Sequence, residues 1–251
     1  MTDPAHLEYV LRLGDTSLVL GQRLAAWVGH APALEEDLGL ANISLDLVGQ
    51  ARLLLTYAGE LEGRGRTEDD LAFLREQSDF RNASLAEQPN GDFAETIVRQ
   101  VLLDAFRLEL YQALQSSKDE RLAQIAAKSL KEIRYHLRYS SGWLIRLGDG
   151  TEVSKARAQV ALEKLWRYTT ELFAPDAVDE AMAEAGIAPR LSELQVRWQA
   201  LVDETLAPAT LKRPADVPHS WHGKRGQHTE HLGYLLAEMQ SLHRTHPGAN
   251  W

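Results

Sequence analysis

The segment from Leu38 to Ala58 is apolar on almost every side when it is drawn as a helix. A surface helix is apolar along one stripe only, so this pattern predicts a helix that is buried against several neighbours. No stretch of the 251-residue chain alternates apolar and polar residues in the manner of a half-buried strand. The sequence therefore predicts an all-α protein built around a central helix.

Helix start and stop signals recur along the rest of the chain. They predict four long helices centred near residues 47, 104, 132 and 164, joined by short to moderate connections. Asp92 with Glu95, and Ser117 with Glu120, have the spacing of a capping box and mark the starts of two of these helices. The order favours an antiparallel four-helix bundle with additional N- and C-terminal helices. No interior segment has the composition of a flexible linker, so we expect a single domain over residues 1–251.

Composition excludes several classes of function. The formal charge is −9, from 27 Lys and Arg against 36 Asp and Glu, which disfavours nucleic acid as a partner. The absence of cysteine excludes disulfides, thiolate catalysis and iron–sulfur ligation by this chain. The first residues, Met1 to Glu8, are polar, and no apolar run approaches the ~20 residues of a membrane span. We therefore expect a cytoplasmic protein that is neither exported nor embedded in a membrane.

Three polar residues interrupt the apolar helix at intervals of four residues: Asn42, Asp46 and Gln50. This spacing places them on one face, which we expect to be buried against other helices of the bundle. A carboxylate without partners is costly to bury, so the pattern predicts groups elsewhere in the bundle that stabilise Asp46.

The other long helices carry candidate groups near their middles, in the arrangement that ferritin-like di-iron proteins use for metal. Two positions do not suit a metal. Arg107 has no lone pair to donate, and the indole of Trp166 does not ligate. We therefore expect a degenerate, metal-free site in which Arg107 supplies part of the positive charge. The candidate positions are Asp46, Asp104, Arg107, Glu132, His136, Glu163 and Trp166.

Two alternatives remain open for these residues. Each residue also has an individual interpretation that stands equal to a shared site. Asp104 would face solvent, Glu132 would pair only with Lys128, and His136 would be an ordinary core histidine. The carboxylates and His136 also allow a second interpretation, in which they bind one or two irons despite the missing imidazole.

The stretch before the last predicted helix concentrates hydrogen-bond donors and aromatic surface. We interpret it as a contact with a partner protein or with the phosphates of CoA, which Lys224 and Arg225 would neutralise. The alternative is a solvated loop. A zinc site is disfavoured because the histidines lack the i, i+4 spacing of a helical zinc motif. The candidate contact residues are Trp221, Lys224, Arg225, His228, Glu230 and His231.

Several short segments together resemble the PaaC family, whose members are components of the bacterial phenylacetyl-CoA epoxidases. The resemblance extends over nearly the whole chain, to its end at Trp251. It is carried by Gly29 to Pro32, Ala41 to Ile43, Asp46 to Arg52, Glu87 to Gly91, Tyr135 to Arg138, Lys164 to Arg167, His228 to Gly233 and Leu236 to Gln240.

The resemblance implies a ferritin-like helical subunit that lacks a complete metal site and any catalytic residue of its own. It implies pairing with a homologous catalytic subunit that holds the iron, together with a small bridging subunit. A separate reductase with FAD and an iron–sulfur cluster would deliver electrons from NADPH. The complex would convert phenylacetyl-CoA to the ring 1,2-epoxide during phenylacetate degradation. A di-iron oxygenase subunit in its own right, or a free-standing helical binding protein, are the competing hypotheses.

Overall fold

The structure, a computed structural model, describes residues 3–249, so Trp251 lies outside the described residues. Within that range the chain forms helices and loops with no β-strand. The all-α prediction is confirmed, and the architecture is consistent with a ferritin-like helical fold. The chain divides into two compact units, residues 3–89 with 221–249 and residues 90–220. The single domain remains a prediction.

The first unit is built on two long antiparallel helices, α1 Pro4–Ala25 and α2 Leu34–Glu62. Gly21 of α1 faces Leu47 of α2, and Gly14 of α1 faces Leu55, where added side chains would come within 3.2 and 2.9 Å. These glycines let the two helices approach closely. The unit also contains α3 Glu68–Phe73, the last helix of the chain, α10 Glu230–Thr245, and short 3-10 turns at Gln77–Asp79 and Gly223–Arg225.

The second unit is arranged around α4 Phe93–Leu114. The other helices of this unit are α5 Glu120–Gly148, α6 Glu152–Trp166, α7 Thr170–Phe173, α8 Ala177–Glu184 and α9 Leu191–Leu206. Helix α4 packs against α5, α6 and α9. The indole of Trp198 in α9 donates a hydrogen bond of 2.9 Å to the carbonyl of Leu102 in α4.

One predicted helix cap is confirmed and one is wrong. The carboxylate of Asp92 accepts from the backbone N–H of Glu95 at 3.0 Å, as a cap at the start of α4 does. Helix α5 begins after Asp119, whose carboxylate accepts from Leu122 N–H at 3.0 Å. Ser117 lies outside the helix and accepts from Asp119 N–H. Asp119 directly precedes the first helical residue, so its oxygen reaches the N–H groups that need an acceptor.

The prediction that α2 is buried on most sides is wrong for this chain. Leu40, Leu47 and Leu54 are fully buried, whereas Leu38 and Leu45 are 57% and 68% exposed. The inner face packs against α1, and the opposite face has no equivalent neighbour among the described elements. An apolar face indicates contact with something apolar, but it does not specify that the contact lies within the same chain.

Helix α2 is also long and apolar enough to cross a membrane by those two measures alone. Its most apolar 18 residues have a mean hydropathy of 1.2, and 44% of them are buried. Core helices of soluble proteins pass the same test, so the absence of a membrane span stays a prediction.

Candidate functional site

A buried polar cluster lies between α4 and α5. Asp104 is fully buried; its two oxygens accept from Gln100 Nε2 at 3.0 Å and from Ser140 Oγ at 2.9 Å. Burial raises the pKa of Asp104 above its ordinary value, against the opposing effect of His136, Arg107 and these hydrogen bonds. We call Gln100, Asp104, Arg107, His136 and Ser140 the Asp104 cluster.

Two basic side chains complete the Asp104 cluster. His136 is fully buried and Arg107 is 2% exposed. Both interact electrostatically with Asp104 in the direction that favours its carboxylate. The guanidinium of Arg107 also lies 5.5 Å from the centre of the Tyr111 ring. The cluster therefore combines one carboxylate, one imidazole and one permanent cation. The interpretation of Asp104 as a residue facing solvent is excluded.

Two other positions of the predicted degenerate site, Glu163 and Trp166, lie on α6 with partners outside the cluster. Glu163 is exposed on α6 and accepts from Gln159 Nε2 at 3.0 Å. Trp166 is buried, and its indole donates to Asp216 Oδ1 at 2.9 Å. Glu132 is half-buried on α5, one turn before His136. Glu163 does not join the cluster, because neighbouring leucines of α6 take the buried face of that helix.

The predicted buried polar stripe of α2 is wrong for two of its three members. Gln50 is buried, but Asn42 is exposed and Asp46 is half-exposed. Positions four residues apart are offset by about 40° around an α-helix, so the line of three runs from the exposed side at Asn42 to the buried side at Gln50. Asp46 belongs to the first unit of the chain, whereas the Asp104 cluster belongs to the second.

The donor set of the Asp104 cluster does not suit a di-iron centre. Such a centre uses about four carboxylates and two imidazoles. The cluster offers one fully buried carboxylate and one imidazole, with Glu132 half-buried one turn before His136, and Arg107 adds a charge that repels a metal cation. Across residues 3–249, no three side chains of His, Asp or Glu form a group suited to a metal ion.

A second polar centre lies in the first unit, around the buried carboxylate of Glu87. Its Oε2 accepts from Asn82 Nδ2 and lies 2.8 Å from His228 Nδ1. Its Oε1 accepts from the backbone N–H and the hydroxyl of Thr229, at 2.6 and 2.8 Å. These contacts provide up to four donors, which match the acceptor capacity of an ionised carboxylate. We call Asn82, Glu87, His228 and Thr229 the Glu87 clasp.

The histidine of the clasp has acceptors at both ring nitrogens. Its Nε2 lies 2.9 Å from the carbonyl of Phe80, while Nδ1 faces Glu87. A carbonyl accepts only, and the Glu87 carboxylate already receives three other hydrogen bonds. Nε2 therefore donates its proton to the Phe80 carbonyl, and Nδ1 shares a buried hydrogen bond with the Glu87 carboxyl group.

The clasp anchors an irregular but buried segment, residues 81–88. Its backbone groups find partners on α1: Arg23 donates to the carbonyl of Glu87 at 2.6 Å, and Ala83 N–H donates to Thr16 Oγ1 at 3.1 Å. A buried loop requires such partners because its backbone N–H and C=O groups do not form the regular hydrogen bonds of a helix. Sequence reasoning noted both clasp motifs as marks of a resemblance but did not predict that they meet.

The residues that were predicted to contact a partner or CoA, between Trp221 and His231, are only partly exposed to solvent. The side chain of His228 is fully buried in the clasp, so its assignment to a partner or CoA contact is wrong. The backbone carbonyl of His231 accepts from Arg23 Nη2 at 3.0 Å. Gly223 lies against the backbone of residues 82–84, which holds the stretch on the first unit. Arg225 and Glu230 are exposed, whereas Trp221, Lys224 and His231 are half-buried.

A buried ion pair that the sequence analysis missed lies beside the clasp. Asp15 of α1 pairs with Arg75, and its Oδ2 also accepts from Arg81 N–H at 2.8 Å. The guanidinium of Arg75 stacks 4.3 Å from the centre of the Phe80 ring. The available sequence signal was the carboxylate of Asp15, which directly follows Gly14 in the middle of α1.

Comparison with known proteins gives a consistent result. The family described as phenylacetic acid catabolic protein matches residues 1–251. The chain is 54% identical to the C subunit of 1,2-phenylacetyl-CoA epoxidase from Escherichia coli strain K12 over 243 residues, which cover 97% of this chain and 98% of that protein. Both matches extend through the Asp104 cluster and the Glu87 clasp. The chain belongs to the phenylacetic acid catabolic protein family.

Proposed function

We propose that this chain is the structural, non-catalytic subunit of a multicomponent di-iron oxygenase that epoxidises phenylacetyl-CoA. Family membership places the chain in phenylacetate catabolism. The similar Escherichia coli protein is named as one subunit of an epoxidase, and a protein named in this way works with other subunits. The proposed role is to bind and stabilise the catalytic subunit.

The observation that carries the non-catalytic role is the composition of the Asp104 cluster. Its one buried carboxylate faces His136 and Arg107, so the positive charge near it comes from the polypeptide. Di-iron chemistry needs several carboxylates to neutralise and bridge two cations. The alternative, a di-iron subunit in its own right, requires a set of carboxylates and imidazoles that the Asp104 cluster does not contain.

The proposed assembly contains the partners that the resemblance implies. The catalytic subunit holds the iron, a small bridging subunit joins the assembly, and a reductase carries FAD, an iron–sulfur cluster and the site for NADPH. This chain contributes no cofactor, and the complex works in the cytoplasm. No nucleic acid or membrane takes part.

Co-expression tests the structural role. We expect the catalytic subunit, when it is produced without this chain, to lose soluble yield or NADPH-dependent epoxidation by about tenfold or more, because binding stabilises the folded partner. Adding this chain restores both. A catalytic subunit that is soluble and fully active without this chain overturns the proposal.

Metal analysis separates the proposal from its alternative. We expect the purified chain, after incubation with Fe(II), to retain far less than one iron per chain. Binding of about two irons per chain, lost in Asp104→Ala, would support the di-iron alternative. A stable chain that captures neither the catalytic nor the bridging subunit would instead support a free-standing binding protein.

A further inference from the structure

One side of α2 exposes large apolar side chains in a regular row. Leu34, Leu38 and Leu45 are 73%, 57% and 68% exposed. Intervals of four and seven residues place these three on a single helical face, and Val48, 37% exposed, follows three residues after Leu45. We call this the outer face of α2, comprising Leu34, Leu38, Ala41, Leu45, Val48 and Gly49.

Gly49 has no explanation within its own chain. It lies inside a 29-residue helix, where glycine is less favourable than alanine. A Cβ atom added at Gly49 would meet no atom within 4 Å. By contrast, Cβ atoms at Gly14 and Gly21 of α1 would press on Leu55 and Leu47. A helix of another molecule that approaches closely at Gly49 would account for it.

A groove of about 310 Å³ adjoins the outer face at Val48. Its walls include Leu55 and Phe73, and Glu68 and Asp69 stand at its edge. Glu68 pairs with Arg52 at 3.3 Å, which leaves the edge with an excess of negative charge. The groove therefore suits an apolar side chain from a partner that also brings basic groups.

We propose that the outer face of α2 is the docking surface for the catalytic subunit. That subunit would present an apolar helix face, with basic side chains toward Glu68 and Asp69. This inference rests on the proposed function and specifies the location of its interface. From Leu34 to Arg52 the face is about 27 Å long, enough for the central strip of a standard protein interface.

Charge argues against two other occupants. A second copy of this chain would bring the same acidic edge and the same overall charge of −9. An anionic membrane would likewise be repelled by Glu68 and Asp69 at the edge of the groove. Both occupants are distinguishable outcomes of the following tests.

Cysteine protection tests the location directly, because the natural chain has no cysteine. The variant Leu45→Cys is expected to react with a maleimide at least tenfold more slowly in the complex with the catalytic subunit than in the isolated chain. Val196→Cys, at a site that is 69% exposed on α9, serves as the control and keeps its rate.

Added bulk tests the close approach at Gly49. Because the Cβ position is open, Gly49→Leu is expected to fold with a thermal midpoint no lower than that of the natural chain. It is expected to bind the catalytic subunit at least tenfold more weakly in a titration. Val196→Leu is the matched control and binds as the natural chain does.

The outcomes separate this inference from the proposed function. If the natural chain binds the catalytic subunit but neither variant changes labelling or affinity, the docking surface is wrong and the proposed function stands. If the natural chain does not bind that subunit, both fail. Two further outcomes overturn the inference. If Leu45→Cys is protected in the chain alone and that chain has twice its monomer mass, the outer face binds a second copy. If Leu45→Cys is protected only when phospholipid vesicles are added, the outer face binds a membrane.

Discussion

Asp104 links the stability of the second unit to pH. Its pKa is raised in the folded chain above the ordinary value of 3.8, chiefly by burial. The folded state therefore holds the proton more tightly than the unfolded state. Stability from this group is complete below that ordinary value and is lost as pH rises toward the raised pKa.

The substitution Asp104→Asn removes this titration while keeping the shape of the side chain. The amide oxygen can accept from Gln100, and the amide nitrogen can donate to Ser140 Oγ. We expect urea unfolding at pH 7 to change by less than about 1 kcal/mol or to favour the variant, with a weaker pH dependence. Asp104→Ala is the control and leaves both partners unsatisfied. If Asp104→Asn loses as much stability as Asp104→Ala, the carboxylate itself is required.

The Glu87 clasp is expected to be the most sensitive polar site of the first unit. Glu87→Ala leaves His228 and the donors of Asn82 and Thr229 buried without their acceptor. Each buried donor left without its acceptor costs about 1–3 kcal/mol, so we expect a total loss of about 3 kcal/mol or more. Chemical denaturation measures the loss. Glu163→Ala, at an exposed carboxylate, is the control and changes stability by less than about 0.5 kcal/mol.

At the scale of elements, the glycines of α1 set how closely α1 and α2 pack. Gly21 lies against Leu47 and Val48, and its carbonyl accepts from Ser44 Oγ at 2.8 Å. We expect Gly21→Leu to lower the free energy of unfolding by about 1–3 kcal/mol through overpacking. Thermal unfolding checks this. Gly49→Leu is the same change at an open position and should not destabilise; equal losses in both would refute the packing argument.

The start of α5 distinguishes the cap in the structure from the cap that the sequence favours. Asp119 satisfies Leu122 N–H, whereas Ser117 lies outside the helix. Asp119→Ala is expected to cost about 1 kcal/mol, and Ser117→Ala distinctly less. Denaturant midpoints of the two variants give the comparison, and the reverse order would favour the predicted cap.

At the scale of the whole molecule, the first unit is discontinuous in sequence. Residues 221–249 supply the histidine of the clasp and helix α10, whose Gln240 donates to the carbonyls of Ala72 and Arg75 at 3.0 and 3.1 Å. The unit therefore depends on the last part of the chain, far in sequence from the helices that it stabilises.

A chain truncated after Ser220 should lose the order of the first unit. We expect limited proteolysis to cut within residues 71–89, because Glu87 and the carbonyls at the end of α3 lose their donors. The helices of residues 90–220 keep their protection. Tyr234→Ala is the control, since this α10 side chain is 70% exposed. Unchanged protection of residues 71–89 would contradict this dependence.

The amino-acid sequence by itself determined the helical class, the long helices and the cap at Asp92, because helix periodicity and capping depend on residues three or four positions apart. It also indicated that Arg107 makes the central site unsuited to metal, since that follows from the chemistry of a guanidinium. Only the tertiary structure decided that Glu163 faces outward, that Glu87 meets His228, and that one face of α2 lies bare. These outcomes depend on which segments, far apart in sequence, the fold brings into contact. Local sequence patterns span only a few residues and do not specify such contacts.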